Sequence, residues 1–231
     1  MLAIGQYRDR HEVVVARIII PSEHPDNDRF AAECAVWFAQ PIMELHSDRY
    51  ADTWDVWEKR RYLSGPQGAL CTTELKKMVR QDFQRANDYQ VFGYTTEERK
   101  RADQFLDNNP EVILKTPLIA NSLSRADCQV MISRKDIAIP AMYLLGFNNN
   151  NCVPCVKATS PTYWNRVRQH FPDRFARMAE LSRRLDVRLV RFGGERIFLD
   201  ELPTVTPPEI EPALDCSLLC LAAEASVDAP S

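Results

Sequence analysis

Two cysteines, three positions apart, end a short asparagine-rich stretch and have the spacing of a metal-ligand pair. The stretch has the sequence FNNNNCVPC and places Cys152 and Cys155 in a predicted turn. In a tight turn, the backbone between two such thiolates brings both sulfur atoms to one side, where they can bind the same metal. A lone pair of this kind is also compatible with two buried cysteines that bind nothing.

Three further cysteines are candidates for the same chemistry. Cys71 precedes a predicted basic helix, whose N-terminal dipole favours a thiolate. Cys216 and Cys220 are four positions apart, so they share one face of a predicted last helix. Cys34 and Cys128 fall at core-facing helical positions, and we interpret both as packing residues. Five cysteines are therefore available for a four-ligand site, and their spacing does not distinguish an iron–sulfur cluster from zinc.

Basic residues follow Cys71 and recur in a second predicted helix. Lys76, Lys77 and Arg80 belong to the first helix, and the run Glu-Arg-Lys-Arg over 98–101 opens the second. Such groups can bind the phosphates of a nucleotide. Each group taken alone is also compatible with a solvent-exposed helix face that binds no ligand.

The elements that must position these residues alternate between strands and helices. A continuous β-branched run over 12–20 is typical of a strand buried on both faces. Shorter strands are predicted over 41–45, 90–93 and 112–114, with helices between them. This alternation predicts an α/β fold in which helices cover both faces of a parallel sheet.

Length and composition indicate one globular domain. The chain has 231 residues and a formal net charge of -3, which gives no general case for binding nucleic acid or a membrane by charge. It has no apolar run of membrane-spanning length and no secretion signal at its N-terminus, so we expect a cytoplasmic protein with no membrane partner. We expect the α/β domain over 1–202, and a proline- and acid-rich linker with a short cysteine-bearing helix over 203–231.

A series of motifs occurs along the chain in the order SEHPDNDRF, YADTWDVWEKRRYL, CTTELKK, VFGYTTEERKRADQF, KTPLIANSLSRADC, NNNNCVPCVK, YWNRVR, IFLDELP and LDCSLLC. Their order resembles the phosphoadenosine-phosphosulfate reductase family of the PP-loop superfamily, especially its stand-alone members common in phages and mobile elements. The resemblance covers roughly residues 13–221. It implies a Rossmann-like parallel sheet of the adenine nucleotide alpha hydrolase type with a helical C-terminal part.

The resemblance implies that an adenine nucleotide, either adenylyl sulfate or ATP, binds at the carboxyl ends of the strands. The residues it places there are Ser22, Glu23, Asn27, Lys76, Tyr94, Glu98, Arg99 and Arg101. Known members reduce a sulfonucleotide to sulfite, and relatives use ATP to activate a substrate for sulfur insertion. A thiol reductant or sulfur-donor protein is the partner that these reactions imply, with a nucleic acid as substrate in the thiolation version. The oligomeric state stays open, and a homo-oligomer is compatible with the family.

The resemblance also assigns roles to the cysteines. It implies that Cys71, Cys152 and Cys155 bind a 4Fe–4S cluster, with zinc as the alternative metal. The family has a second cysteine where this chain has Thr72, so we expect the fourth ligand to be Cys220. Cys216, the other cysteine of the last helix, resembles the nucleophile that takes up the sulfo group. The alternative is that Cys216 is itself the fourth ligand.

The chain departs from the family in three ways. It lacks the Ser-Gly-Gly phosphate loop, so we expect the first βα unit to be truncated and the sheet to lack one strand. Leu219 replaces a family histidine, and an upstream lysine is absent. Two functions follow as hypotheses: an oxidoreductase or transferase of sulfur metabolism, or a catalytically inactive scaffold that binds a cluster or zinc and acts through a partner.

Overall fold

The computed structural model describes residues 1–65 and 68–205. Its strands are β1 Val15–Ile18, β2 Ile42–Leu45, β3 Tyr89–Val91, β4 Ile113–Lys115, β5 Val190–Phe192 and β6 Glu195–Ile197. Its α-helices are α1 Leu2–Tyr7, α2 Asp26–Phe38, α3 Thr53–Arg60, α4 Leu70–Thr72, α5 Met78–Phe83, α6 Arg99–Asn108, α7 Pro117–Ala120, α8 Arg125–Ser133, α9 Ala141–Leu144, α10 Pro161–His170 and α11 Pro172–Arg184. A π-helical turn over Thr73–Lys77 joins α4 to α5, and short 3₁₀ turns cover Thr96–Glu98 and Leu199–Glu201.

The mixed α/β class is confirmed, and the four predicted strands are present. β1 pairs in parallel with β2, β3 pairs in parallel with β4, and β5 pairs antiparallel with β6. The single continuous parallel sheet that we expected is not formed by the described residues. Instead, a cleft separates the β1–β2 pair from the β3–β4 pair.

The prediction that the first strand is buried on both faces was wrong. Val14 is 39% exposed, and Ala16 is also exposed. The reason is the cleft, because both residues line it instead of packing against a third strand. Arg17 anchors this strand on its other side, where its guanidinium bonds Asp28 of α2 at 2.8 Å and Glu44 of β2 at 2.5 Å.

The main hydrophobic core is formed mostly by the second half of the chain, together with α3 and the residues that follow it. Side chains from α3, α10, α11 and β5 form it, and Trp57, Trp164 and Met178 are almost fully buried there. The indole Nε1 of Trp164 donates to the Ala158 carbonyl at 2.9 Å, so this bulky side chain also has its polar atom satisfied. This core is the rigid body against which the first half of the chain is placed.

Two glycines explain a hairpin that sequence reasoning missed. Gly193 and Gly194 connect β5 to β6, and both have positive φ, at 59° and 86°. A two-residue turn with positive φ at both positions matches the twist of a hairpin, and glycine adopts it without steric cost. The sequence signal was the Gly-Gly pair between two short runs rich in β-branched and aromatic residues.

The packing interpretation of the two remaining described cysteines holds in part. Cys34 on α2 is 7% exposed and belongs to the core. Cys128 on α8 is only half-buried, because that helix has no fully buried residue. No helix among residues 1–65 and 68–205 has the length and apolarity to cross a membrane.

Candidate functional site

Three of the predicted ligand cysteines approach one another at the junction of the two halves of the chain. Cys71 opens α4, and it packs against the same small apolar cluster as Cys152. Cys155 is buried in the main core, which Cys71 also contacts. Cys152 interacts electrostatically with both other thiols. The structure therefore brings together side chains that are about eighty positions apart in the sequence.

The thiol of Cys152 lies in an apolar setting with one nearby cation. Burial raises the pKa of this thiol well above its ordinary value, and the Lys76 ammonium acts in the opposite direction. Glu23 and the other two thiols raise the pKa further, since each adds negative charge when it ionises. Without a metal, Cys152 is therefore a neutral thiol at neutral pH.

Four hydrogen bonds hold the turn that carries the cysteine pair. The Val153 amide donates to the Ser22 carbonyl at 2.9 Å, and the Cys155 amide donates to the Tyr163 hydroxyl at 2.6 Å. Arg174 of α11 donates from one guanidinium nitrogen to two carbonyls, at 2.8 Å to Ser22 and 2.9 Å to Val153. The peptide bond between Val153 and Pro154 is cis. These bonds join the turn after β1, the cysteine turn and the main core in one place.

The donor set fits a thiolate-bound metal group in its chemistry, although the site is not preformed. Three thiols converge there, and a bound metal would replace their protons. Within the described ranges, however, no group of three or more His, Cys, Asp or Glu side chains is arranged to hold a metal ion. The other two predicted cysteines, Cys216 and Cys220, lie outside the described residues.

A polar network lies beside the cysteines, at the carboxyl end of β1. The Lys76 ammonium contacts Glu23 Oε1 at 3.2 Å, and Asn27 Nδ2 donates to Glu23 Oε2 at 3.0 Å. Asn150 Nδ2 then donates to Asn27 Oδ1 at 2.8 Å. The network links three segments: the turn after β1, the π-helical turn and the asparagine-rich stretch. Sequence reasoning missed the role of Asn150, although the run of four asparagines was its signal.

Ser22 is buried and has a structural contact. Its hydroxyl oxygen accepts from the Thr53 hydroxyl at 2.6 Å, and both residues are almost fully buried. This bond ties the turn after β1 to the first residue of α3. Of the residues predicted at this end of β1, the side chains of Glu23, Asn27 and Lys76 form the network, whereas the Ser22 hydroxyl points to α3.

The remaining predicted nucleotide residues form a second group at the start of α6. Tyr94 is buried, and the Arg101 guanidinium lies 5.2 Å from the centre of its ring. Glu98 contacts Arg101 Nη1 at 2.5 Å and accepts from the Thr95 amide at 3.2 Å, so it caps the helix. Arg99 is exposed on the same helix.

The two groups meet at the cleft between the strand pairs. The cleft has a volume of about 1380 Å³, and Lys76, Tyr94 and Arg101 all line it. Thr72 and Asn151 line it too, and they are the chain neighbours of Cys71 and Cys152. Arg80 adds a further cation, with its guanidinium 5.2 Å from the centre of the Phe105 ring. The lining of this cleft therefore combines cationic and aromatic groups with the chain neighbours of Cys71 and Cys152.

Comparisons with known proteins found no matching family model, no matching curated protein and no matching solved structure.

Proposed function

We propose that this chain is an adenine-nucleotide-binding protein of the phosphoadenosine-phosphosulfate reductase type, in which Cys71, Cys152 and Cys155 hold an iron–sulfur cluster. The observation that carries the proposal is the convergence of these thiols beside the network of Glu23, Lys76 and Asn27. In this proposal the two parallel strand pairs are parts of one Rossmann-like sheet. The fourth ligand is Cys220, with Cys216 as the alternative.

The nucleotide site that we propose is the end of the cleft next to the cysteines. Lys76 and Arg101 offer cations to the phosphate or sulfate groups of adenylyl sulfate or ATP. Tyr94 presents an aromatic ring at the same place. The attraction between these cations and the negative charge of the ligand would be stronger there than in bulk water, because the walls of the cleft are partly apolar.

Two reactions fit this arrangement, and both rest on the family resemblance. In the reductive version, the Cys216 thiolate attacks the sulfur of adenylyl sulfate, so an S–S bond forms as the S–O bond to AMP breaks. A thiol reductant then supplies two electrons and sulfite leaves. In the sulfur-transfer version, ATP adenylates the acceptor oxygen and pyrophosphate leaves, and a sulfur donor then displaces that oxygen as AMP. A bound cluster would tune the electrostatics around the anion, or supply sulfur for transfer.

The test is the metal content of protein purified without oxygen. A brown protein with a broad band near ~400 nm and about four irons and four sulfides per chain is the expected result. Cys152→Ser should lose the metal, while Cys128→Ser, a half-buried cysteine on α8, should retain it. If Cys152→Ser retains its full metal content, the ligand assignment is wrong. A colourless protein with about one zinc supports the inactive scaffold instead.

The nucleotide is tested on the same samples by thermal unfolding. Adenylyl sulfate or ATP should raise the Tm, because a ligand that binds only the folded state stabilises it. Lys76→Ala should reduce the rise, while Lys59→Ala, whose ion pair with Asp55 is on α3, should not. An unchanged Tm with both nucleotides would contradict the nucleotide part of the proposal and leave the metal part standing.

A further inference from the structure

The cleft reaches the free edges of two strands as well as one face of the β1–β2 pair, which Met43 and Leu45 line. Its lining includes the consecutive residues 13–16 beside β1 and 87–92 beside β3. Successive side chains of a strand point to opposite faces of the sheet. A cavity that touches every residue of an extended segment therefore follows the strand edge, where the backbone N–H and C=O groups lie.

The hydrogen bonds of β1 show which backbone groups point into the cleft. The Ile19 amide donates to the Leu45 carbonyl at 2.8 Å, and the Val13 carbonyl accepts from the Gln40 side chain just before β2. Residues 13 and 19 thus face β2, and backbone direction alternates along a strand. The N–H and C=O groups of 14, 16 and 18 therefore face away from β2, and all three of these residues line the cleft.

The same reasoning applies to β3 on the opposite wall. The Phe92 amide donates to the Lys115 carbonyl of β4 at 3.0 Å, so residues 90 and 92 face β4. Tyr89 and Val91 face the other way, and both line the cleft. In the part of the chain that the structure describes, the backbone groups of 14, 16, 18, 89 and 91 that face the cleft have no hydrogen bond to protein.

The side chains around these edges are apolar and cationic. Val14 and Val91 are each 39% exposed, and Tyr89 is 43% exposed. Five cationic side chains line the cleft against two carboxylates, Glu12 and Asp88. The five cations are Lys76, Lys77, Arg80, Arg85 and Arg101. An occupant with apolar and acidic side chains complements this lining.

We propose that the cleft accepts one extended strand from a separate protein chain, which pairs with β1 on one side and β3 on the other. Such a strand would satisfy two open edges at once and join the two parallel pairs into a five-stranded sheet. At ~3.3 Å per residue, about five residues of the partner cover the edge from 14 to 18. A nucleic acid would complement the charge of the cleft, but it would not match the alternating backbone groups on both walls.

The proposal does not depend on nucleotide or cluster binding, so its test is done without either. Short random peptides on a display library are selected against the full chain. Enriched peptides should be β-branched with Asp or Glu, and should bind in an extended form. On binding, hydrogen–deuterium exchange should slow at the amides of 14, 16, 18, 89 and 91.

A pair of proline variants distinguishes pairing at the strand edge from nonspecific peptide binding. Ala16→Pro removes an N–H that faces the cleft, so it should weaken the selected peptide at least tenfold. Ile42→Pro removes an N–H on the outer edge of β2 and should not weaken it. If no acidic, β-branched peptide is enriched, or if exchange slows elsewhere, the proposal is wrong. Binding of a single-stranded oligothymidylate without any peptide binding would likewise overturn it, in favour of a nucleic acid.

Discussion

At the scale of single residues, Ser22 joins three separate segments of the chain by hydrogen bonds, which its predicted role in nucleotide binding did not indicate. Its hydroxyl bonds Thr53, and its carbonyl accepts from Val153 and Arg174. The family resemblance placed Ser22 at the carboxyl end of a strand, and the structure has it in the turn that follows β1. Its burial was not predictable, because it depends on segments more than a hundred residues away.

Replacing Ser22 with alanine should lower the free energy of unfolding by about 1–3 kcal/mol. The variant leaves the Thr53 hydroxyl buried without its partner, and an unsatisfied buried group retains its full desolvation penalty. Urea unfolding measures the effect. Ser133→Ala, at an exposed position at the end of α8, is the control and should change the stability by less than about 0.5 kcal/mol. An equal effect in both variants would show that the Ser22–Thr53 bond contributes nothing.

Asp26 makes the stability depend on pH in acid. The Arg29 guanidinium, which bonds the carboxylate at 2.6 Å, and the Ala141 amide together lower the pKa of Asp26 to about 2. A folded-state pKa below the ordinary value stabilises the protein above that value, and the contribution is lost as pH falls from about 4 through about 2. Asp26→Asn should therefore destabilise the protein at neutral pH and converge with the parent near pH 2. A constant difference between the two urea midpoints over this range would contradict the assignment.

At the scale of elements, local signals predicted the helices better than the strand lengths. Asp52 caps α3, and Pro172 is the first residue of α11, so both helices begin at residues whose types favour a helix start. The first strand is four residues long, although the apolar run spans nine. Helix caps act within a few residues of the chain, whereas strand length is set by the partner strand, which composition does not reveal.

Removing the cap of α3 should destabilise the whole molecule. The Asp52 carboxylate accepts from the Asp55 amide at 2.8 Å, and α3 carries Trp54 and Trp57 into the core. Asp52→Ala should lower the free energy of unfolding by about 1 kcal/mol, and Asp52→Ser should recover most of the loss. Asp48→Ala is the matched control at an exposed loop position. Thermal or urea unfolding of the three variants measures the effect. Equal unfolding midpoints for Asp52→Ala and Asp48→Ala would show that the Asp52 cap does not stabilise the protein.

At the scale of the whole molecule, the sequence predicted an α/β chain whose sheet lacks a strand. The structure has the α/β class, and a cleft lies between its two parallel strand pairs. Likewise, Cys71 was predicted to join Cys152 and Cys155, and the structure brings the three thiols together. The cleft itself could not be predicted, because an open edge is defined by which strands fail to pair.

Because the chain is synthesised from its N-terminus, Ser22 is made long before the residues that anchor its carbonyl. Its carbonyl stays without Val153 until 131 further residues have been synthesised, and without Arg174 for longer. At typical ribosomal speeds this interval is on the order of ten seconds. For much of it, both strands of the first pair have been made while Val153 and Arg174 have not. During that time the turn after β1 lacks the partners that join it to the cysteine turn and to α11.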